Sequence, residues 1–119
     1  MAGVVALVPD LLFGSRVQAA LTGAGHEVRL VSEPAAARAA LGQADVLVVD
    51  LATDAIDGPA LVAELIAQDA LGATRTLGFY SHVDVATRER AEQAGFDLVV
   101  PRSRMNREGA DLVARLAAG

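Results

Sequence analysis

Four polar residues close apolar runs in this 119-residue chain, and their types could do chemistry together: Asp10, Asp50, Ser81 and Arg102. Two carboxylates held close repel each other and call for a cation. That cation would be Mg²⁺, a hard ion that takes a few carboxylates and keeps waters, or the Arg102 guanidinium. A strand-end carboxylate beside a metal can act as a nucleophile toward a phosphoryl donor. The Ser81 hydroxyl could then donate to an oxyanion carried on Asp50.

The elements that must position these residues are legible as five apolar runs: Gly3–Val8, Glu27–Val31, Asp45–Leu51, Thr76–Tyr80 and Asp97–Val100. Near-continuous Val, Leu and Ile predicts strands buried on both faces, hence a parallel sheet. Between them lie five segments with helical spacing. The first is expected to begin near Ser15, where Ser15 and Gln18 fit a capping box, with Val17, Leu21 and Ala24 inward and Gly23 and Gly25 closing it. The second is Ala35–Leu41, entered through Ser32-Glu33-Pro34 and stopped at Gly42. The third opens at Asp57-Gly58-Pro59, Asp57 serving as N-cap rather than ligand, and buries Leu61, Leu65 and Ile66. The fourth runs from an Asp84 N-cap to Gly95. The fifth runs from Arg104 or Arg107 to Ala117, with Leu112, Val113 and Leu116 inward.

Five strand–helix units with right-handed crossovers predict one α/β domain over residues 1–119, a flavodoxin-like three-layer sandwich. In strand order 2-1-3-4-5, ligands bind beyond the carboxyl ends of the strands. Asp10, Asp50 and Ser81 would then share one pocket, with Arg102 at its far rim. His26 reads as the solvated start of the second strand, and His82 as a polar loop residue without a second ligand at metal spacing.

Composition narrows the function. There are no cysteines, so disulfide, thiolate-zinc and cysteine chemistry are excluded. Ten basic against fifteen acidic residues give a net charge of -5, which argues against a nucleic-acid surface or an anionic membrane patch. All ten basic residues are Arg, so lysine amine chemistry cannot occur. The start MAGVVALVPD lacks the basic region of a secretory signal, and a cytoplasmic domain is expected. A dinucleotide fold is disfavoured: Pro9-Asp10-Leu11-Leu12-Phe13-Gly14 holds no Gly-x-Gly-x-x-Gly, and Asp10 would repel a pyrophosphate.

The residues also resemble a family. Val46-Leu-Val-Val-Asp50-Leu is similar to the phosphoacceptor strand of the CheY-like receiver domains of two-component response regulators. Ile56-Asp57-Gly58 resembles their Met-Asp-Gly, and Ala94-Gly95-Phe96-Asp97 their Ala-Gly-Ala-Asp. The resemblance covers nearly the whole chain. It implies a phosphorelay role with Asp50 as phosphoacceptor, Ser81 as switch hydroxyl, and Asp10, Asp50 and the Ala52 carbonyl as Mg²⁺ ligands. It implies a histidine kinase or phosphotransfer protein as partner, and a homodimer face on helix 4, strand 5 and helix 5. That face carries Arg88, Glu89, Arg90, Glu92, Arg104 and Arg107. No enzymatic activity is implied, and with no output domain after the fifth helix the expected mode of action is protein binding.

The departures define an atypical receiver. Pro9 stands at the first acidic position and Thr53-Asp54 replaces Met-Pro. The family lysine is missing: an ungapped count puts Arg102 there and Ser103 at the cis-proline, whereas a gapped one puts Val100-Pro101 on that pair. Arg keeps the charge but brings a rigid donor fork. Asp10–Arg16 reads as an extended loop, and Val99 replaces the family's strand-five aromatic, with Tyr80 on or near strand four. The alternative reading is an unphosphorylated pseudo-receiver, a binding or dimerisation module in which Asp50 pairs with Arg102.

Overall fold

A computed structural model describes residues 2–81 and 83–119; His82 lies outside the described residues. The order is β1 (Gly3–Leu7), α1 (Leu11–Gly23), β2 (Glu27–Val31), α2 (Pro34–Ala40), a 3₁₀ turn (Leu41–Gln43) and β3 (Val46–Asp50). Then come α3 (Gly58–Ala67), β4 (Arg75–Tyr80), α4 (Val85–Ala94), β5 (Leu98–Pro101) and α5 (Arg102–Ala118). All pairings are parallel, in the order β2-β1-β3-β4-β5. Among the described residues, no helix is long and apolar enough to cross a membrane.

The sheet separates two apolar cores. One packs Val4, Ala6, Val46, Val48, Leu77, Phe79 and Val100 against α1 and α5. The other packs Val5, Leu7, Leu47, Val49 and Leu51 against α2, α3 and α4. Every residue of β3 is buried, as a central strand covered on both faces requires. The flanking strands β2 and β5 are only part-buried.

Alternation along the strands aims the site. Successive side chains point to opposite faces, so Val46 and Val48 on the α1/α5 side carry Asp50 to that side. Asp10 continues the same series beyond Val4, Ala6 and Val8; Ser81 continues Leu77 and Phe79; Arg102 continues Leu98 and Val100. All four polar residues therefore extend, past the strand ends, the rows facing α1 and α5.

Several expectations are corrected. Helix α1 begins at Leu11, not near Ser15, so the stretch after Asp10 is helix rather than an extended loop. Asp10 is its N-cap and accepts from the Phe13 amide at 3.0 Å. The start was hidden because Leu11 and Leu12 are 82% and 72% exposed, which breaks the apolar spacing. Helix α5 begins at Arg102, directly after β5, not at Arg104 or Arg107. Ala24 is exposed, and in α3 Val62 is buried while Ile66 faces solvent. Asp57 and Asp84 do cap α3 and α4, and Gly95 ends α4 at φ 106. That positive φ favours glycine.

His26 is not solvated. It is buried; its Nδ1 accepts from the Ala2 amide at 3.1 Å, and its Nε2 lies 3.3 Å from the Ala110 carbonyl. The geometry selects the tautomer that donates from Nε2, tying the start of β1 to α5. His26→Leu would orphan both backbone groups, and urea unfolding should show a loss of about 1–3 kcal/mol. Gly58 lets the first turn of α3 approach β3: an added Cβ would lie 2.7 Å from Leu51 and 2.8 Å from Val49 side-chain atoms. Gly58→Ala should cost about 1–3 kcal/mol in the same measurement.

Candidate functional site

Asp50 is the last residue of β3 and is 4% exposed. Its Oδ1 accepts from the Ala52 amide at 2.8 Å, an Asx-type turn that reverses the chain beyond the strand. Among the described residues Oδ2 accepts no hydrogen bond. Burial raises the Asp50 carboxyl above its ordinary range; the Ala52 amide and the Arg102 charge oppose this, and the Asp10 charge adds to it. The two acidic groups thus feel each other across one hollow.

Asp10 sits in the open rim of that hollow. Its carboxyl is held below the usual range, first by the Phe13 amide, then by the Leu12 amide and by Arg102 and Arg16, with desolvation opposing. Arg102 places Nη2 3.8 Å from Asp10 Oδ2. Its guanidinium also lies over the Phe13 ring, 4.0 Å from the centroid, in a cation–π contact. Phe13 in turn packs on Phe79 at 5.1 Å. The expected Asp50–Arg102 ion pair is therefore replaced by an Asp10–Arg102 pair, because the aromatic face holds the guanidinium over α1.

Of the two possible places for the family lysine, Val100 is fully buried in the α1/α5 core and only Arg102 reaches the carboxylates. The chain has no cis peptide among the described residues, so Pro101 and Ser103 both follow trans bonds. Ser81 ends the β4 edge of the hollow, and its carbonyl accepts from the Asp84 amide at 2.8 Å. Phe13, Arg16 and Asn106 were not foreseen here. The misplaced start of α1 hid the first two, since only a helix beginning at Leu11 sets Phe13 and Arg16 one turn apart.

A cleft of about 480 Å³ opens between α1 and α5, lined by Phe13, Arg16, Ala52, Ser81, Arg102, Ser103 and Asn106. A larger hollow of about 580 Å³ opens beside Asp45, Arg75 and Asp97, far from all four residues. Asp97 is occupied there, accepting from the Thr76 amide at 2.8 Å and ordering the start of β4.

No protein-family model and no curated protein matches the chain. Solved structures do. A putative response regulator from Chloroflexus aurantiacus matches with a TM-score of 0.88 at 19% identity, covering 99% of this chain and 98% of that one. The signal receiver domain of the putative response regulator NarL from Mycobacterium tuberculosis gives 0.83 at 24%, covering 99% and 97%. The receiver domain of a sensor histidine kinase from Pseudomonas aeruginosa gives 0.86 at 18%, covering 99% and 98%. The chain has the receiver fold.

The Pseudomonas receiver holds a magnesium ion in its active site cleft. At the carboxyl edge of this chain's sheet the candidate oxygen donors are Asp10, Asp50 and the Ala52 carbonyl. No group of three His, Cys, Asp or Glu suited to a metal occurs among the described residues. One Asp10 oxygen is spent on the helix cap and the other faces Arg102. Asp50 Oδ2 and the Ala52 carbonyl remain as uncommitted oxygen donors, so a Mg²⁺ ion held there would keep most of its ligands as water.

Burial of the Asp50 carboxyl couples stability to pH. A carboxyl raised by folding binds its proton more tightly in the native state, so its contribution is greatest below the unfolded value. It is lost as pH rises through the raised folded value. Asp50→Asn keeps an acceptor for the Ala52 amide and removes the buried charge. Thermal melts from pH 3 to 8 should show Asp50→Asn more stable than the wild type at neutral pH, the gap closing toward acid.

Proposed function

We propose that this chain is an atypical receiver module in signal transduction, acting through protein–protein contacts, with its acidic hollow closed by Arg102 rather than by a divalent cation. One observation carries the reading: the Arg102 guanidinium lies between the Phe13 ring and Asp10, at 4.0 and 3.8 Å. A cation fixed there compensates Asp10 without metal, and the arginine cannot lose its charge.

The α4–β5–α5 face is the surface for a homodimer in this reading. Its arginines are paired within the chain: Arg88 with Glu92 at 3.6 Å, Arg104 with Glu108 at 3.5 Å, and Arg90 with Asp57 at 3.1 Å. A partner would therefore have to exchange these exposed pairs, each a weak interaction.

A second reading is favoured by Asp50 itself. Its Oδ2 is uncommitted at the carboxyl end of β3, with Ser81 directly after the last residue of the neighbouring strand. As phosphoacceptor, this oxygen would attack phosphorus in a phosphohistidine of a histidine kinase or phosphotransfer protein. The P–N bond breaks and the imidazole leaves with a proton.

One experiment separates the two. The protein is incubated with acetyl phosphate and millimolar Mg²⁺, weighed by intact-mass spectrometry, and melted with and without the metal. The first reading expects no phosphoryl adduct and an unchanged melting temperature. A ligand at a hundred-fold excess over its Kd would add about 2.7 kcal/mol, a rise of many degrees for a domain this small. One phosphoryl group on the wild type and none on Asp50→Asn would replace the first reading with the second.

A further inference from the structure

We infer that the free edge of β2 is an interface between two copies of this chain, paired antiparallel about a two-fold axis at Val28. This edge is the opposite end of the sheet from β5, so the inference goes beyond the reading above and does not rest on the acidic hollow. β2 is an outermost strand, and among the described residues it pairs only with β1. The Glu27 amide donates to the Ala2 carbonyl at 2.9 Å, and the Val31 carbonyl accepts from the Val8 amide at 3.0 Å. Successive residues of a parallel strand turn their backbone groups to opposite edges, so Glu27, Arg29 and Val31 face β1. Val28 and Leu30 turn theirs outward, where a second strand can meet them.

The side chains decide which strand that is. Val28 and Leu30 pack toward the α1/α5 core, which leaves Glu27 and Arg29 exposed on the other face. A groove of about 310 Å³ opens on that face beside the end of α2, lined by Glu27, Val28, Arg29, Ala40 and Gln43 among others. Among the described residues neither Glu27 nor Arg29 makes an ion pair. Charges on an edge strand ordinarily repel a second copy, but here their sign and spacing fit one. With the axis at Val28, the two Val28 residues exchange both backbone hydrogen bonds, and Glu27 of each copy stands opposite Arg29 of the other. Those positions form non-hydrogen-bonded pairs, in which side chains approach most closely, so two opposite-charge contacts flank the axis. Charge disfavours the neighbouring registers. An axis at Arg29 sets that arginine against itself, and an axis at Leu30 sets Glu27 against Glu33. A two-fold pairing of this kind closes at two copies.

The test is sedimentation equilibrium of the full chain at low salt, with charge-reversed variants of these two exposed residues. The wild type should form a dimer that weakens as salt is added, and its Val28 amide should gain protection from hydrogen exchange as the dimer fills. Glu27→Arg and Arg29→Glu each set like charges opposite one another twice, and each should weaken the dimer about ten-fold or more. Mixed in equal amounts the two variants should recover it, because every pair between them then joins opposite signs. A chain that stays monomeric at millimolar concentration leaves the edge to a different strand or to solvent and overturns the inference. So does a dimer that survives both single reversals, or a mixture that stays monomeric. A dimer lost only in Arg88→Glu would assign the α4–β5–α5 face instead and overturn it as well.

Discussion

Backbone at the middle of a five-stranded parallel sheet has no access to water on either face. Polar side chains within such strands would be desolvated without partners, at a cost of several kcal/mol each. The three central strands therefore stay largely apolar along their middles, and function is displaced to the carboxyl edge. Asp50 marks that boundary. It stands at the end of a strand buried at every position, with one oxygen satisfied by the Ala52 amide. The desolvation that raises its carboxyl is the direct consequence of the sheet's double cover.

Beyond the edge, the two cores unequally support the site. The α1/α5 side supplies Asp10, Phe13, Arg16 and Arg102, and the strand alternation turns Asp50 and Ser81 toward it. The Phe13–Phe79 contact links the aromatic floor under Arg102 to the strand next to Asp50. The arginine is thus supported by packing on one side and by a carboxylate on the other. A flexible lysine stem would have no comparable reason to lie flat over the ring. Arg102 thus meets Asp10 directly and acts on Asp50 only at longer range.

Much of the architecture was legible in local pattern. The five apolar runs, the Asp57 and Asp84 caps and the Gly95 stop each depend on residues within a few positions of one another. The structure places β2 at the expected bounds and the other strands within one or two residues. Several of the errors fall where burial does not follow local periodicity. Leu11 and Leu12 are apolar but exposed, and they masked the start of α1. Ile66 is apolar yet faces solvent beside Gly95. His26 is polar yet buried, because its partners come from β1 and from α5, 84 residues away in sequence for Ala110.

The sequence alone determined the order and type of the elements, the parallel sheet, and the arrival of Asp10, Asp50, Ser81 and Arg102 at one end of it. Periodicity and capping are short-range, so one dimension of information suffices for them. Only the tertiary structure decided that Arg102 pairs with Asp10 over Phe13 rather than with Asp50. Only it decided that Arg16, Ser103 and Asn106 line the same cleft. Those outcomes depend on the spacing of two helices and on how deeply each charge is desolvated. Such quantities exist only once distant segments have packed.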